Sequence, residues 1–133
     1  RSIHFSIDSF SAAAYKKTKG ADRREQVFRN VETFLRVRKE MGFERPYAHL
    51  AFVVQPDNAH EAEHFMNHWW ALLQELGSTP ELCWDWPHKN KDAIYFRPLN
   101  CGDQDRSDAL HAEVCQRLGI HQGGKRLRAA ESF

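Results

Sequence analysis

Apolar and polar residues alternate at the start of the chain and then change to a helical period. In the segment "IHFSID" (residues 3–8), apolar Ile3, Phe5 and Ile7 alternate with polar neighbours, which predicts a β-strand. The segment "SAAAYKKTKG" (residues 11–20) is typical of a short helix that ends at its glycine. Residues 22–42 then predict a longer helix with a capping box formed by Asp22 and Glu25. Its apolar stripe comprises Val27, Phe28, Val31, Phe34, Leu35 and Met41, and Gly42 ends it.

The middle and last parts of the chain continue the alternation of strand and helix. "YAHLAFVV" (Tyr47 to Val54) is almost continuously apolar, as buried parallel strands are. A helix is predicted from about Asn58 to Leu76, with a stop at Gly77. "ELCWDW" (residues 81–86) predicts a third strand, and residues 94–96 allow a further short one. Leu110, Val114 and Leu118 mark a last helix that ends at Gly119.

This order of elements predicts an α/β fold with a parallel sheet. Strand, helix, strand, helix, strand is the pattern of right-handed βαβ units. We expect residues 1–120 to form this unit and residues 121–133, which are poor in apolar side chains, to be a loose tail. Three parallel strands leave two unpaired edges and a large apolar face. We therefore expect either the rest of a larger sheet or a second copy of the chain, as a homo-oligomer, to cover them.

Composition narrows the function classes. The 133 residues are 41% hydrophobic and 28% charged, which is typical of a folded domain. A net charge of +1 argues against a nucleic-acid partner, and no stretch approaches the roughly 18 apolar residues of a membrane span. Cys83, Cys101 and Cys115 lack the spacing of a zinc knuckle or disulfide framework, so reduced thiols in a cytoplasmic protein are expected. The start at Arg1, without methionine, suggests a piece of a longer protein.

One motif suggests a different chemistry. "HEAEH" (residues 60–64) satisfies the H-E-x-x-H pattern of zinc proteases. At about 100° per residue, however, the histidines of this helix fall opposite the apolar stripe or at its border, so they should face water. Glu61 has an ordinary role available in a capping box with Asn58. A zinc protease is therefore disfavoured, and adventitious metal binding by His60, His64 and His68 remains an alternative.

The first half of the chain carries a set of motifs in a recognisable order. Ser6-Ile7-Asp8 ends the first strand and is followed by Tyr15 and by Lys19-Gly20. Phe28-Arg29-Asn30-Val31, Val53-Val54, Asn58 and Glu61 come next at nearly regular spacing. In this order the residues resemble the middle of the radical S-adenosylmethionine (radical SAM) enzymes, particularly those with a SPASM-type C-terminal extension. The resemblance is strong up to about Gly77 and weaker beyond it.

The resemblance implies a βαβαβ fragment of a partial (βα)6 barrel, from its fourth strand to its sixth. It implies that Ser6, Asp8 and Lys19 approach S-adenosylmethionine, although relatives usually have arginine where this chain has Lys19. The parent protein would use a [4Fe–4S] cluster to cleave S-adenosylmethionine and form a 5′-deoxyadenosyl radical that abstracts a substrate hydrogen. The cysteine loop that binds the cluster is missing here, so we expect neither a catalytic residue nor a metal ligand in this chain, and no activity from it alone.

Two partners follow from these interpretations. The resemblance implies that the remainder of the parent barrel completes the sheet. The second hypothesis is a self-contained α/β binding or interaction domain, whose apolar face and Trp-rich segment (residues 83–88) are covered by a partner chain. The four tryptophans are expected to be core and interface residues rather than a ligand cage. The substrate is not indicated by the sequence.

Overall fold

The computed structural model describes residues 2–7, 24–84, 86–87, 90–100, 102–120 and 125–126. Five strands and three α-helices occur in these residues. The strands are β1 (Ser2–Ser6), β2 (Tyr47–Val54), β3 (Glu81–Cys83), β4 (Ala93–Pro98) and β5 (Lys125–Arg126). The helices are α1 (Arg24–Glu40), α2 (Ala62–Glu75) and α3 (Gln104–Arg117), and a 3-10 turn (Ala59–Glu61) precedes α2. The predicted short helix at residues 11–20 lies outside the described residues.

The strands form one sheet in the order β1-β2-β4-β3-β5. β1 and β2 are parallel, with Ser2 opposite Tyr47 and Ser6 opposite Ala51. β2, β4 and β3 continue in the same direction, and only β5 pairs antiparallel, against β3. The predicted α/β class, with two parallel strands joined across a helix, is confirmed. Within the predicted tail, Lys125 and Arg126 pair with β3, and the rest of residues 121–133 lies outside the described residues.

The strand next to β2 is β4 and not the third strand predicted from the sequence, residues 81–86. β4 pairs with β2 over six residue pairs, from His49 opposite Ala93 to Val54 opposite Pro98. β3 has only three residues and lies on the far side of β4. A central strand must offer both edges and both faces to neighbours, and the first four residues of β4 are all buried. The short apolar run at 94–96 is therefore part of the sheet's centre.

All three helices pack against the same face of this sheet. The core cluster joins alternate residues of the strands, such as Leu50, Phe52 and Phe96, to residues of each helix. Phe65 of α2 stacks between Phe52 and Phe96, with ring centroids 4.9 and 6.1 Å away. The buried helix residues of this core are Phe28, Val31, Leu35, Ala62, Phe65, Met66, Trp69, Trp70, Leu72, Leu73, Val114 and Cys115. The opposite face carries no helix from the described residues.

Each helix ends as its glycine predicts, but two details of the helix predictions are wrong. Gly42 and Gly77 adopt φ values of 75° and 83°, and the amide after each glycine bonds back to the last helical turn. Met41, expected in the buried stripe, is 59% exposed because the helix has already ended. Asn58 does not cap a helix with its side chain. It is fully buried, and its amide bridges Val53 O and Gln55 N in the turn after β2.

A buried ion pair holds the amino ends of the strands to α1. Arg38 donates two hydrogen bonds to the Asp92 carboxylate, at 2.8 and 2.7 Å, and both side chains are at least 90% buried. Asp92 also accepts from Ala48 N at the start of β2 and from the hydroxyl of Ser78. Burial alone raises the pKa of the Asp92 carboxyl, but the hydrogen bonds from Arg38, Ala48 and Ser78 outweigh it. The pKa therefore lies below its usual value.

Replacing Phe65 by alanine should strongly destabilise the protein. The ring is fully buried between the two phenylalanines of the sheet, so its loss leaves a cavity at the helix–sheet interface. We expect Phe65→Ala to lower the free energy of unfolding by about 3–5 kcal/mol in a urea titration. Asn67→Ala, an exposed change on the same helix, should stay within about 0.5 kcal/mol. Equal losses for the two variants would show that α2 does not pack as described.

Arg38→Met should cost about 3–5 kcal/mol at neutral pH, because the Asp92 carboxylate is left buried without its cation. Arg36→Met is the matched control. Its ion pairs with Glu32 and Glu75 are exposed, so a much smaller loss is expected.

Since the pKa of Asp92 is lowered in the fold, the stability that its carboxylate contributes is complete above its unfolded pKa of about 3.9 and is lost at lower pH. The difference between wild type and Arg38→Met should therefore shrink between pH 7 and pH 3. A difference that is unaffected by acid would contradict this account.

Candidate functional site

The face of the sheet opposite the helices carries most of the polar strand residues. We call it the helix-free face. Strand register and the two-residue period of side chains place His4, His49 and Glu81 in one row across it. The next row, toward the carboxyl ends of the strands, contains Ser6, Ala51, Tyr95 and Cys83, and Val53 and Arg97 follow.

His49 is a buried polar residue of this face. It is only 4% exposed. Nε2 lies 3.1 Å from Lys91 O, so that nitrogen carries the proton and donates it to the carbonyl. Nδ1 is buried and has no hydrogen-bond partner among the described residues. Desolvation and, to a lesser extent, the charge of His4 lower the pKa of His49 below its usual value, although the Lys91 carbonyl and Asp92 act in the opposite direction.

His4 and Tyr95 form the second part of the site. Nδ1 of His4 lies 3.1 Å from the Tyr95 hydroxyl, which is the one polar atom of an otherwise buried side chain. The His4 ring meets the His49 ring edge-on, with centroids 4.8 Å apart. Two imidazoles and a phenol are thus in contact on one face, where they can hold a proton or a metal ion, or bind a ligand with matching donors.

Trp86 partly covers these residues from the loop between β3 and β4. Its ring lies 5.5 Å from that of Tyr95 and 5.7 Å from that of His4. The Arg97 guanidinium lies over the Trp86 ring, 4.1 Å from its centroid, in a cation–π contact. Because Trp86 remains 45% exposed, this corner of the helix-free face is accessible from solvent. The prediction that Trp69 is a core residue is confirmed, whereas Trp86 lies on the surface of the candidate site.

Of the three residues predicted to approach S-adenosylmethionine, Ser6 is described by the structure. It is the last residue of β1, is exposed, and lies on the helix-free face in the same row as Tyr95. Asp8 and Lys19 lie outside the described residues, so their predicted roles stay predictions. The position of Ser6 at the carboxyl end of a parallel strand is one where ligand-binding side chains commonly lie.

Helix α3 lies beside the carboxyl ends of β3 and β4. His111 Nε2 lies 2.7 Å from Trp84 O and 2.9 Å from Phe96 O, so it donates to backbone carbonyls after β3 and within β4. A groove of about 660 Å³ lies beside α3 and is lined by Val54, Pro56 and Leu99, by Asp103 and by residues of α3 between Arg106 and Glu113. His111 is buried and has its polar atom satisfied, which is typical of a structural histidine.

The histidines of the H-E-x-x-H motif are not arranged with Glu61 as in a zinc protease. His60, His64 and His68 are exposed, as the helical angles predicted, while Glu61 is buried. Among the described residues no three His, Cys, Asp or Glu side chains are arranged to hold a metal ion. Cys83 and Cys115 are buried thiols outside any disulfide, and Cys101 lies outside the described residues. These residues therefore do not fit an iron–sulfur cluster.

The grouping of His4, His49 and Tyr95 was not predicted from the sequence. His4 was visible as a polar position in an alternating strand, but His49 and Tyr95 are embedded in nearly continuous apolar runs. Such runs indicate burial on both faces and do not indicate which strands are neighbours. The cluster depends on β4 lying beside β2, which brings Tyr95 within reach of β1.

Comparison of the chain with models of known protein families, with curated proteins and with solved structures returns no match. Within the part of the chain that the structure describes, none of the helices has the length and apolar character that a membrane span requires.

The lowered pKa of His49 should make stability depend on pH just below neutrality. The unfolded imidazole binds a proton near pH 6.5, whereas the folded one does so only at lower pH, so stability should fall as pH falls below about 6.5. His49→Gln keeps a donor for Lys91 O but does not titrate. We expect the free energy of unfolding of this variant, measured in urea between pH 7.5 and pH 5, to vary less than that of wild type. The same pH dependence in both proteins would refute the assignment.

Proposed function

We propose that this chain is the carboxyl-terminal half of a radical SAM barrel and contributes one wall of its S-adenosylmethionine cleft. The observation that carries the proposal is the arrangement of the three longer strands. β1, β2 and β4 lie side by side in chain order, all parallel, with every described helix on one face. A (βα) barrel has this arrangement, with its helices outside and its strand side chains directed inward.

The position of Ser6 also supports the proposal. Active sites of barrels lie at the carboxyl ends of the strands, and Ser6 is the last residue of β1 on the helix-free face. In this arrangement its hydroxyl can donate to or accept from the ribose or the amino-acid part of S-adenosylmethionine. Lys19 and, less directly, Asp8 complete the set that the family resemblance implies.

The place of β1 in the sheet is consistent with the remainder of the barrel as partner. Among the strands that the structure describes, β1 lies at the edge of the sheet, next to β2. The preceding strands of a barrel would pair with the other edge and remove the exposed row of backbone groups. The barrel's sixth strand in this proposal is β4 rather than β3, and β3 with its connections is an addition between helix and strand.

The reaction in this proposal belongs to the parent protein. A [4Fe–4S] cluster supplies reductive cleavage of S-adenosylmethionine in radical SAM enzymes, but the described residues do not fit such a cluster. This chain's own contribution is therefore binding and shielding. Ser6 contacts the cofactor, while the rows of side chains on the helix-free face form the wall beneath it.

A self-contained α/β binding domain remains the second candidate. β3 extends the sheet beyond β4 in the same direction, and β5 adds a further antiparallel strand. A sheet that continues in this way on the far side of β4 is not the edge of a barrel, and this specific feature favours an independent domain. Measurement of the molecular mass and of hydrophobic-dye binding in solution separates the two: a monomer that binds little dye favours the independent domain, a dye-binding species favours the missing barrel half, and a dimer fits both.

Ser6→Ala should weaken binding of S-adenosylmethionine by about two- to tenfold, the effect of losing one hydrogen bond. The measurement is calorimetric titration of the parent protein, with its cluster assembled anaerobically, by S-adenosylmethionine. Ser2→Ala is the matched control, because Ser2 lies on the same strand and face but at the amino end. It should bind as wild type does. Equal affinity of all three proteins would exclude Ser6 from the site, and a parent protein that neither assembles a cluster nor binds S-adenosylmethionine would overturn the proposed function.

A further inference from the structure

The two histidines of the helix-free face share one hydrogen-bonding arrangement. Each imidazole has one ring nitrogen engaged with a protein group and the other available. His49 donates from Nε2 to Lys91 O, which leaves Nδ1 as a bare lone pair, buried and without a partner among the described residues. His4 contacts the Tyr95 hydroxyl through Nδ1, which leaves Nε2 for another contact. A buried acceptor without a hydrogen-bond partner lowers stability by about 1–3 kcal/mol. A ligand that binds His49 Nδ1 would remove this loss.

This arrangement is the one that metal-binding histidines adopt. A histidine that ligates a metal almost always donates its second nitrogen to a carbonyl, carboxylate or water, which fixes the tautomer and the ring orientation. With metal–nitrogen bonds of about 2.1 Å and near-tetrahedral angles, the ring centroids of two ligating imidazoles are about 5 Å apart. The centroids of His4 and His49 are 4.8 Å apart. The hydrogen bonds and the ring separation therefore allow both imidazoles to bind one ion.

We propose that His4 and His49 bind one divalent transition-metal ion, through His4 Nε2 and His49 Nδ1. Imidazole ligands favour Cu²⁺, Ni²⁺ and Zn²⁺ over Mg²⁺ or Ca²⁺. No third His, Cys, Asp or Glu of the described residues joins them. Tyr95 and Lys91 O act as positioning groups behind the two ligands. The site does not depend on the proposed radical SAM function, because it uses only residues of this chain.

The exposed histidines of the H-E-x-x-H helix are the competing metal ligands. His60, His64 and His68 follow one another at intervals of four residues and face solvent. His68 also stacks on Phe28 and Trp69. Because such a row can bind Ni²⁺ weakly, the test uses a background variant in which these three histidines are replaced by glutamine. These residues lie on the helix side of the sheet, away from His4 and His49.

The test is calorimetric titration of the background variant with Ni²⁺. It should retain one site per chain, and addition of His4→Gln or His49→Gln should each weaken binding at least tenfold. Tyr95→Phe, which removes only the positioning group of His4, should weaken it about tenfold, whereas Ser2→Ala should have no effect. Loss of all Ni²⁺ binding in the background variant, or unchanged affinity after His4→Gln, would overturn the proposal.

A spectroscopic measurement keeps the test decisive if His49→Gln does not fold. His4 is exposed, so His4→Gln should fold, and circular dichroism will verify it. The electron paramagnetic resonance spectrum of Cu²⁺ bound to the background variant should show hyperfine coupling to two imidazole nitrogens, reduced to one in His4→Gln. The same spectrum in both proteins would place the ion elsewhere and refute the site.

Discussion

The fold depends on the ion pair between Arg38 and Asp92. Asp92 immediately precedes β4, the strand on which the sheet's centre is built, and its carboxylate also receives the first amide of β2's interior, that of Ala48. Arg38, in the last turn of α1, reaches further to Glu44 O and Pro46 O in the connection to β2. One buried carboxylate thus fixes a helix end, a loop and two neighbouring strands. A buried ion pair stabilises a fold only when both charges are fully hydrogen-bonded, so moving Arg38 away from Asp92 would greatly lower stability.

The same ion pair also positions side chains on the helix-free face of the sheet. By fixing the start of β4 beside β2, it sets the register that brings Tyr95 to His4 and Lys91 O to His49. The His49 contact lies at the same amino end of the strands as the ion pair, because Asp92 directly follows Lys91 and His49 lies opposite Ala93, the first residue of β4.

Local sequence patterns predicted the elements well, and pairing between distant elements much less well. Gly42, Gly77 and Gly119 were correctly predicted to end helices, because helices often end at a residue with positive φ and glycine adopts such a φ most easily. All three have a positive φ in the structure. The 3.6-residue period separated buried Phe65 and Trp69 from exposed His64. The neighbour of β2 was not predictable in this way, because β3 and β4 are both short and apolar and periodicity says nothing about order. Asn58 and Glu61 have the spacing of a capping box, but the Asn58 side chain forms hydrogen bonds within the buried turn after β2, with Val53 O and Gln55 N.

The sheet also separates the two thiols that the structure describes. Cys83 belongs to the small buried cluster on the helix-free face, and Cys115 to the helix-side core. A disulfide requires Cα atoms within about 7 Å and side chains that point toward each other. An intact layer of hydrogen-bonded strands lies between these sulfur atoms, so oxidants can join them only after the strands have come apart. A crosslink between them would therefore report that the protein had unfolded.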